Sequence, residues 1–314
     1  MKILINDTLD DQHLTQIRSI SAEIELVMPD SREDTLEVMP EIEAIFGGMN
    51  RDMFRRAERL KWVQTWGAGI NGMLFPEFVA SEIILTSAKG TVGVHLSEHA
   101  LALLLGLTRG IAWAVRKPDW SERMPIRNAS WELINMTMGI IGLGGTGQGV
   151  AVRASAFGMK ILAVDPEDVD VPDCVQDCWK MDRFSDLLEA SDVVVICCPL
   201  TDETHGLFDR SAFEKMKNHA LLINVTRGKI VDEASLLEAL ESGQIAGAGL
   251  DVTPQEPLPE GHPLWTMDNV IITPHTAGGS PNRQDRIVDL FCENLKRLMN
   301  GEEMLSVIDK QKGY

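Results

Sequence analysis

Short apolar runs alternate with amphipathic stretches along most of the 314-residue chain. This alternation is typical of a parallel β-sheet whose strands are joined by crossover helices. A first series of strands is predicted at Lys2–Asn6, Glu23–Met28, Ala44–Gly47, Trp62–Thr65 and Ile83–Thr86. With helices in the gaps, these strands predict a doubly wound α/β unit that ends near residue 98.

A second series of six strands is predicted further along the chain. It is preceded by an apolar helix over Val94–Val115 and a polar segment over Lys117–Glu132. The strands are expected at Thr137–Ile141, Lys160–Asp165, Asp192–Cys197, Ala220–Val225, Ala246–Asp251 and Val270–Thr273. A last helix over Asn282–Asn300 is expected to return to the first unit.

Composition and charge narrow the class of protein. Hydrophobic residues make up 44% of the chain and charged residues 24%, as in soluble globular proteins. The net charge of −18 argues against a nucleic-acid partner, because such binding needs a basic patch. The amino terminus, MKILIND, lacks a signal-peptide pattern, and Val94–Val115 contains Glu98, His99 and Arg109. We therefore expect neither a membrane span nor a membrane partner.

The cysteines indicate a reducing compartment. They lie at positions 174, 178, 197, 198 and 292, an odd number without metal-ligand spacing. No metal site is therefore expected. Reduced thiols in the cytoplasm are the favoured interpretation. A disulfide between Cys174 and Cys178 remains an alternative.

A glycine-rich turn follows the first strand of the second series. Its sequence is Gly142-Leu143-Gly144-Gly145-Thr146-Gly147, and a helix follows it. Gly142 permits the tight turn, Gly144 lets the backbone approach a pyrophosphate, and Gly147 lets the helix pack closely on the strand. The next strand ends at Asp165, whose carboxylate can accept hydrogen bonds from ribose hydroxyls. Strand, turn, helix and acid together predict a dinucleotide site.

The loop after Asp165 bears on which dinucleotide is bound. Its residues Pro166–Asp170 include three further acids, and no cation occurs before Lys180. A 2′-phosphate brings about two negative charges, which these acids would repel. We therefore expect NAD(H) to be preferred over NADP(H).

Three chemically versatile side chains follow the last strands of the second series. Arg227, Glu256 and His275 each come shortly after one of its last three strands. Ligands of open α/β sheets bind at the carboxyl ends of the strands, so the three should face one cleft. A guanidinium suits a carboxylate, and histidine is the natural acid–base group near neutral pH. Each alone could be an ordinary surface or loop residue, but their joint placement predicts a catalytic set.

These segments resemble the D-isomer-specific 2-hydroxyacid dehydrogenase family, and more loosely its glyoxylate/hydroxypyruvate reductase branch. The matching segments are TWGAGIN (65–71), SEHALALLLGLTR (97–109), IIGLGGTGQG (140–149), CPLTDETHGLF (198–208), INVTRGKIVDEASLLEAL (223–240), GAGLDVTPQEPLP (247–259) and ITPHTAGGS (272–280). They cover most of the second series in the order of the family.

The resemblance implies an NAD-dependent oxidoreductase that interconverts a small 2-oxo acid and its D-2-hydroxy acid. Arg227 would bind the substrate carboxylate and carbonyl, His275 would be the acid–base group, and Glu256 would support it. Backbone contacts to the substrate are implied at Gly67, Ala68 and Gly69. Cofactor contacts are implied at Gly142, Gly144, Gly145, Thr146, Gly147, Asp165, Cys198, Val225, Thr226, Asp251 and Gly278.

The chain departs from the family pattern within the glycine turn. The family usually has a large residue there, often Arg, followed by Ile or Val, whereas this chain has Gly145 and Thr146. A side-chain contact to the pyrophosphate is therefore lost, which bears on cofactor affinity.

The fold predicted is α/β, with two doubly wound parallel-sheet domains. A Rossmann NAD-binding domain, residues 99–279, is expected to be inserted in a flavodoxin-like substrate domain, residues 1–98 and 280–314. A homodimer built on the NAD-binding domain is expected, because the helix over Val94–Val115 carries more apolar surface than one sheet face needs. The resemblance points to the same interface.

Other functions of the same fold rank lower. An NAD-sensing binding protein, similar to the transcriptional corepressors of this fold, is the alternative function, and turnover of 2-oxo acids would separate the two. A formate dehydrogenase typically carries Gln in place of Glu256. A 3-phosphoglycerate dehydrogenase is disfavoured because no regulatory extension follows residue 314.

Overall fold

The computed structural model describes residues 1–67, 69–70 and 72–314. The chain divides into two compact units, Met1–Val92 with Ser280–Tyr314 and Gly93–Gly279. The first division falls a few residues before the predicted position 98. Gly93 begins a helix that packs against the helix after the glycine turn, so this helix belongs wholly to the second unit.

The elements follow one another in a regular alternation. The strands are β1 (Lys2–Asn6), β2 (Glu25–Val27), β3 (Ala44–Gly47), β4 (Trp62–Gln64), β5 (Ile84–Thr86), β6 (Thr137–Ile141), β7 (Lys160–Val164), β8 (Val175–Trp179), β9 (Val193–Ile196), β10 (Leu221–Asn224), β11 (Gly247–Leu250) and β12 (Val270–Ile272). The helices are α1 (Asp11–Arg18), α2 (Arg32–Val38), α3 (Arg51–Arg56), α4 (Pro76–Val79), α5 (Gly93–Thr108), α6 (Ile111–Arg116), α7 (Arg123–Ala129), α8 (Gly145–Ser155), α9 (Phe184–Ala190), α10 (Arg210–Lys215), α11 (Glu233–Glu241) and α12 (Arg283–Asn300).

The first unit contains a parallel sheet of five described strands in the order β2-β1-β3-β4-β5. This is the strand order of flavodoxin-like folds, and the predicted fold class is confirmed. Helix α12 returns to this unit and buries Ile287, Phe291 and Leu295 in its core. Phe291 stacks on Trp62 of β4, with ring centroids 4.6 Å apart. The carboxyl-terminal segment is thereby an integral part of the first unit.

The second unit contains a parallel sheet in the order β12-β11-β10-β9-β6-β7-β8. The Rossmann order 3-2-1-4-5-6 is present, with β12 added at one edge. The prediction of six strands is wrong, because the described residues form seven. The missed strand, β8, lies at the sheet edge, and its residues Gln176 and Asp177 are exposed. Its sequence therefore lacks the continuous apolar run of the central strands.

The predicted helix over Val94–Val115 is broken into α5 and α6. Gly110 adopts a left-handed conformation, with φ of 65°, and separates the two helices. Helix α5 packs on α8 and on strands β10, β11 and β12, which accounts for much of its apolar surface. Within the described part of the chain, no helix combines the length and apolarity needed to cross a membrane.

Candidate active site

The glycine turn between β6 and α8 is enforced by close backbone contacts. Gly142 has φ of +90°, and a Cβ there would lie 2.8 Å from backbone atoms of Cys198. A Cβ on Gly147 would lie 2.1 Å from the carbonyl oxygen of Gly142. Glycine is therefore required at both positions to bring β6, β9 and α8 together.

The same turn leaves one side open. A Cβ on Gly144 would meet no heavy atom within 4 Å, and Gly145 is exposed. Gly144 caps α8 without any side-chain hydrogen bond, so the first amide groups of the helix have no side-chain acceptor. Free N–H groups at the positive end of a helix suit a phosphate. The turn thus fits the pyrophosphate of a dinucleotide.

Asp165 ties this turn to the end of β7. Its Oδ2 accepts a hydrogen bond from the amide of Leu143 at 2.7 Å, and its Oδ1 accepts one from Glu167 at 2.9 Å. The side chain is buried, so the carboxylate is fixed by both bonds. A carboxylate has capacity for further hydrogen bonds. Its contact with the ribose hydroxyls stays a prediction.

Lys180 changes the charge of the loop after Asp165. It follows β8, and its Nζ donates to the carbonyls of Pro166 (3.3 Å) and Glu167 (2.8 Å) and to the carboxylate of Asp168 (2.6 Å). The hydrogen bond to Asp168 raises the pKa of Lys180, so this lysine is charged. The loop itself contains no cation, but strand β8, which was not predicted, brings Lys180 to it.

Arg227 is held by the turn that follows β10. The buried Asn224 donates from Nδ2 to the carbonyl of Arg227 at 3.0 Å and accepts the amide of Thr226 at 3.1 Å. Arg227 Nη1 donates to the carbonyl of Thr226 at 2.7 Å. Burial lowers the pKa of Arg227, and the Glu256 carboxylate opposes this effect. A guanidinium remains charged at neutral pH and can bind an anion.

Glu256 and His275 form a directly hydrogen-bonded pair. Glu256 Oε2 lies 2.7 Å from His275 Nδ1, and its Oε1 accepts the amide of Thr253 at 3.1 Å. An ionised carboxylate only accepts hydrogen bonds, so His275 carries a proton on Nδ1 in this arrangement. His275 Nε2 is then the ring nitrogen that can exchange a proton with a substrate. The imidazole is 49% exposed, which leaves it accessible.

The loops that carry Arg227 and Glu256 are in close backbone contact. A Cβ on Gly228 would lie 2.0 Å from the carbonyl carbon of Thr253. Thr253 in turn donates from Oγ1 to the carbonyl of Gln255 at 2.7 Å. Glycine at position 228 therefore allows the loops after β10 and β11 to meet. The structure brings Arg227, Glu256 and His275 into one region of the second unit, as predicted from their places after successive strands.

A buried carboxylate fixes the loop that carries His275. Asp251 is 1% exposed and accepts hydrogen bonds from the amides of Thr276 (2.8 Å) and Ala277 (2.9 Å) and from the Thr273 hydroxyl (2.6 Å). Its carbonyl accepts the amide of His275 at 2.8 Å. His275 itself has φ of 53°, a conformation that costs about 1–3 kcal/mol and persists where surrounding bonds enforce it. These bonds make Asp251 a support for the histidine loop. Its contact with the cofactor stays a prediction.

Three supporting residues were not identified from the sequence. His99 on α5 lies 2.8 Å from the Thr273 hydroxyl through Nε2, and Asn224 and Thr253 hold the other two loops. A polar side chain at the end of a buried strand, as at Asn224, is a signal that could have been used. His99 and Thr253 act through contacts between distant segments, which no local spacing reveals.

The remaining residues predicted to bind the cofactor lie in the second unit. Cys198 and Val225 are buried at the ends of β9 and β10, while Thr226 and Gly278 are partly exposed. Burial raises the pKa of Cys198 to about 12, so its thiol is protonated at neutral pH and is not a nucleophile. All five cysteines are free, including Cys174 and Cys178. The contacts of Cys198, Val225, Thr226 and Gly278 with a cofactor stay predictions.

The predicted substrate-binding backbone lies in the first unit. Gly67 and Gly69 follow β4, and Ala68 lies outside the described residues. The carbonyl of Gly67 accepts hydrogen bonds from the Thr65 hydroxyl and the amide of Ala88. The binding of a substrate by this segment stays a prediction.

Comparison with known proteins places the chain in a family. Residues 100–277 match the family model of the D-isomer specific 2-hydroxyacid dehydrogenase, NAD binding domain. A glyoxylate reductase from Thermofilum pendens is 34% identical over 291 residues, which cover 90% of this chain and 86% of that protein. A D-3-phosphoglycerate dehydrogenase from Archaeoglobus fulgidus is 33% identical over 96% of this chain. The chain spans only 58% of the length of that relative.

Solved structures with the same fold include enzymes for either nicotinamide dinucleotide. An NADPH-dependent glyoxylate/hydroxypyruvate reductase from Sinorhizobium meliloti, in complex with NADP and sulfate, is 25% identical over 100% of this chain and 99% of its own, with a TM-score of 0.82. An NAD-dependent formate dehydrogenase from Staphylococcus aureus, in complex with NAD, is 30% identical over 98% and 99% of the two chains, with a TM-score of 0.74. The protein thus belongs to the D-isomer specific 2-hydroxyacid dehydrogenase family, and its second unit is the NAD-binding Rossmann domain of that family.

Proposed function

We propose that the protein is an NAD-dependent oxidoreductase that interconverts a small 2-oxo acid and its D-2-hydroxy acid. The observation that carries this proposal is the 2.7 Å hydrogen bond between His275 Nδ1 and Glu256 Oε2, with Arg227 on the adjoining loop. Glu256 is hydrogen-bonded to the imidazole and also interacts with the guanidinium of Arg227. An imidazole and a guanidinium suit a substrate that has a carboxylate and an adjacent carbonyl or hydroxyl. The family and the relatives named above support the same reaction class.

The roles of the three side chains follow from their chemistry. In the reductive direction, a bound reduced nicotinamide supplies the hydride to the 2-oxo carbon. His275 Nε2 donates a proton to the carbonyl oxygen as negative charge develops there. Glu256 stabilises the protonated imidazole and keeps Nε2 turned away from itself. Arg227 binds the substrate carboxylate and stabilises the developing charge.

The proposed steps use neither a thiol nucleophile nor a metal ion. Burial keeps the Cys198 thiol protonated, and the described residues contain no group of three acidic, histidine or cysteine side chains arranged to hold a metal ion. Glu256 also distinguishes this site from that of a formate dehydrogenase, which typically carries Gln at this position. A carboxylate at this place assists proton transfer, which formate oxidation does not require.

NAD(H) is proposed as the preferred cofactor. Asp165 lies at the end of β7, where we expect the adenosine ribose to bind, and its neighbours Glu167 and Asp168 add negative charge. Lys180 offsets part of that charge but is engaged by Asp168 and two carbonyls. A 2′-phosphate would have to displace these bonds to pair with Lys180. We therefore expect the protein to prefer NAD(H) over NADP(H) despite this lysine.

Initial rates with a panel of 2-oxo acids test the proposal. Glyoxylate, hydroxypyruvate, pyruvate and phenylpyruvate, each with NADH, should show turnover of at least one acid, and the product should be the D enantiomer where it is chiral. NADH binding without turnover of any 2-oxo acid would favour the NAD-sensing alternative. Turnover of formate but of no 2-oxo acid would contradict the proposal.

A homodimer and a cytoplasmic location complete the proposal. The helix expected to form the contact, Val94–Val115, divides into α5 and α6. Val94 on α5 is 40% exposed, and the larger exposures lie on α6 and the segment after it, where Val115 is 74% exposed and Trp120 is 88% exposed. Ile111 and Met124 extend this surface. We assign the dimer contact to these four residues, since apolar surface of this kind marks interaction sites.

A further inference from the structure

Two arginines at the start of α12 in the first unit, Arg283 and Arg286, have no anionic partner among the described residues. Arg283 Nη2 donates to the carbonyl of Trp66 at 3.0 Å. Arg283 Nε, Arg286 Nη1 and Trp66 Nε1 are buried and have no hydrogen-bond partner among the described residues. Within that part of the chain neither guanidinium forms an ion pair. Two partly buried cations one helical turn apart repel each other unless an anion lies between them.

The acids of the same helix are engaged on another face. Asp285 Oδ1 lies 2.9 Å from His13 Nε2, and Asp289 accepts the side-chain amide of Gln16 at 2.7 Å. Residues three or four apart share a helix face, so these two acids point to α1 together. Arg286 lies one turn before Asp289, but neither Arg283 nor Arg286 forms an ion pair with an acid of α12.

The helix terminus adds to the positive potential. Helix α12 has 18 residues, and its amino-terminal cap, Asn282, makes no side-chain cap hydrogen bond. The amide of Arg283 donates to the carbonyl of Ser280 at 3.2 Å, and the dipole of the helix favours an anion at this end. Guanidinium groups match the geometry of carboxylate and phosphate oxygens. We propose that Arg283 and Arg286 form a site for a carboxylate or phosphate group at the start of α12.

This group has two possible sources. It can be a second acidic group on the 2-oxo acid substrate, an assignment that rests on the proposed function. It can also be a free anion such as inorganic phosphate, which requires no turnover. The two sources share one recognition chemistry and differ in what the enzyme does when Arg286 is removed.

Thermal unfolding in inorganic phosphate tests the site without any reaction. Phosphate should raise the Tm of the wild type by several degrees above sodium chloride of equal ionic strength, because an anion that binds only the folded state stabilises it. Arg286→Gln should lose this rise, and Arg283→Lys should reduce it. Arg286 makes no hydrogen bond to the described protein through Nη1, so its replacement should leave the fold intact. Arg55→Gln, at an exposed arginine of the same unit, should keep the full rise.

Kinetics identify the source of the anion. The ratio of kcat/KM for 2-oxoglutarate to that for 2-oxobutyrate should fall roughly tenfold or more in Arg286→Gln if the site binds the substrate's second carboxylate. An unchanged ratio together with a lost phosphate effect would assign the site to a free anion. If Arg286→Gln matches the wild type in both measurements, the site does not exist. Failure of the proposed function would appear differently, as absent turnover in the wild type with the phosphate effect intact.

Discussion

At the scale of single residues, the account depends on how His275 is held. Its ring is oriented by Glu256 through Nδ1, and its backbone is held in a left-handed conformation by Asp251 and Thr273. The bond to Nδ1 leaves Nε2 as the ring nitrogen that can exchange a proton with a substrate. The imidazole is therefore oriented before the substrate binds, which is the preorganisation that acid–base catalysis needs.

Replacing Glu256 by Gln should lower kcat/KM for 2-oxo acid reduction by about tenfold or more. A neutral amide cannot replace the charge-assisted hydrogen bond through which the carboxylate orients the His275 ring at Nδ1. Initial rates with NADH and one good 2-oxo acid give kcat/KM. Glu260→Gln, at an exposed acid nearby in sequence, is the matched control. Equal kcat/KM values for Glu256→Gln and the wild type would show that Glu256 does not act on the histidine.

Lys180 provides a test of cofactor preference. The wild type should use NADH with a kcat/KM about tenfold or more above that with NADPH, because like charges at a surface cost on the order of 1–4 kcal/mol. Lys180→Met should widen this ratio, since it removes the cation that partly neutralises the loop after Asp165. Lys160→Met, at the opposite end of β7, should leave the ratio unchanged. A wild-type preference for NADPH would mean that Asp165 does not face the ribose.

At the scale of elements, all the strands were predicted except one at a sheet edge. Strands buried on both faces, such as β1, β3 and β6, have continuous apolar runs, and their predicted bounds agree with the structure. The edge strand β8 has exposed Gln176 and Asp177 and was missed. The break at Gly110 depends on a single left-handed residue in an otherwise helical pattern.

In the candidate site, the positions of the three catalytic candidates could be predicted from the sequence, but the contacts that orient them could not. The places of Arg227, Glu256 and His275 follow from strand order, because the carboxyl ends of parallel strands lie on one edge. The bonds that orient them involve His99, Asn224 and Thr253, which are brought in by loop packing. No spacing along the sequence encodes those contacts, so they could be found only in the folded chain.

The glycine turn allows a prediction about a whole element. Gly144→Ala should leave folding unchanged, because the added Cβ would meet no heavy atom within 4 Å. It should weaken NADH binding at least tenfold, since the open side of the turn is where the pyrophosphate backbone must approach. Titration of tryptophan fluorescence with NADH gives the affinity, and thermal unfolding gives the stability.

Gly48→Ala serves as the control for this experiment. A Cβ on Gly48, in the first unit, also meets nothing within 4 Å, so this variant should match the wild type in both stability and NADH affinity. If Gly144→Ala binds NADH as tightly as Gly48→Ala does, the glycine turn does not hold the pyrophosphate.

At the scale of the whole molecule, the net charge and the exposed apolar surface bear on which partners are expected. We expect a second copy of the chain and no nucleic acid. The net charge of −18 disfavours polyanionic partners. Against this acidic background, the exposed apolar residues Ile111, Val115, Trp120 and Met124 cluster in one stretch of the second unit. A surface of this composition is stabilised when a second copy covers it.

Sedimentation velocity at micromolar concentration should therefore report a dimer of the 34.7 kDa chain. Trp120→Glu should shift the equilibrium towards the monomer, because it places a charge in the centre of the contact. Met28→Glu, at an exposed apolar residue of the first unit, should remain dimeric. A monomeric wild type would contradict the proposed interface.

His275 is proposed to transfer the proton while another part of the protein holds the dinucleotide. The most direct test measures kcat and the Kd for NADH on one preparation of His275→Ala, beside the wild type. We predict that kcat for the best 2-oxo acid falls by roughly 10²–10⁴, while the Kd for NADH stays within a few-fold of the wild-type value. Near-normal kcat in His275→Ala would contradict the mechanism. A parallel loss of NADH binding would contradict the separation of roles.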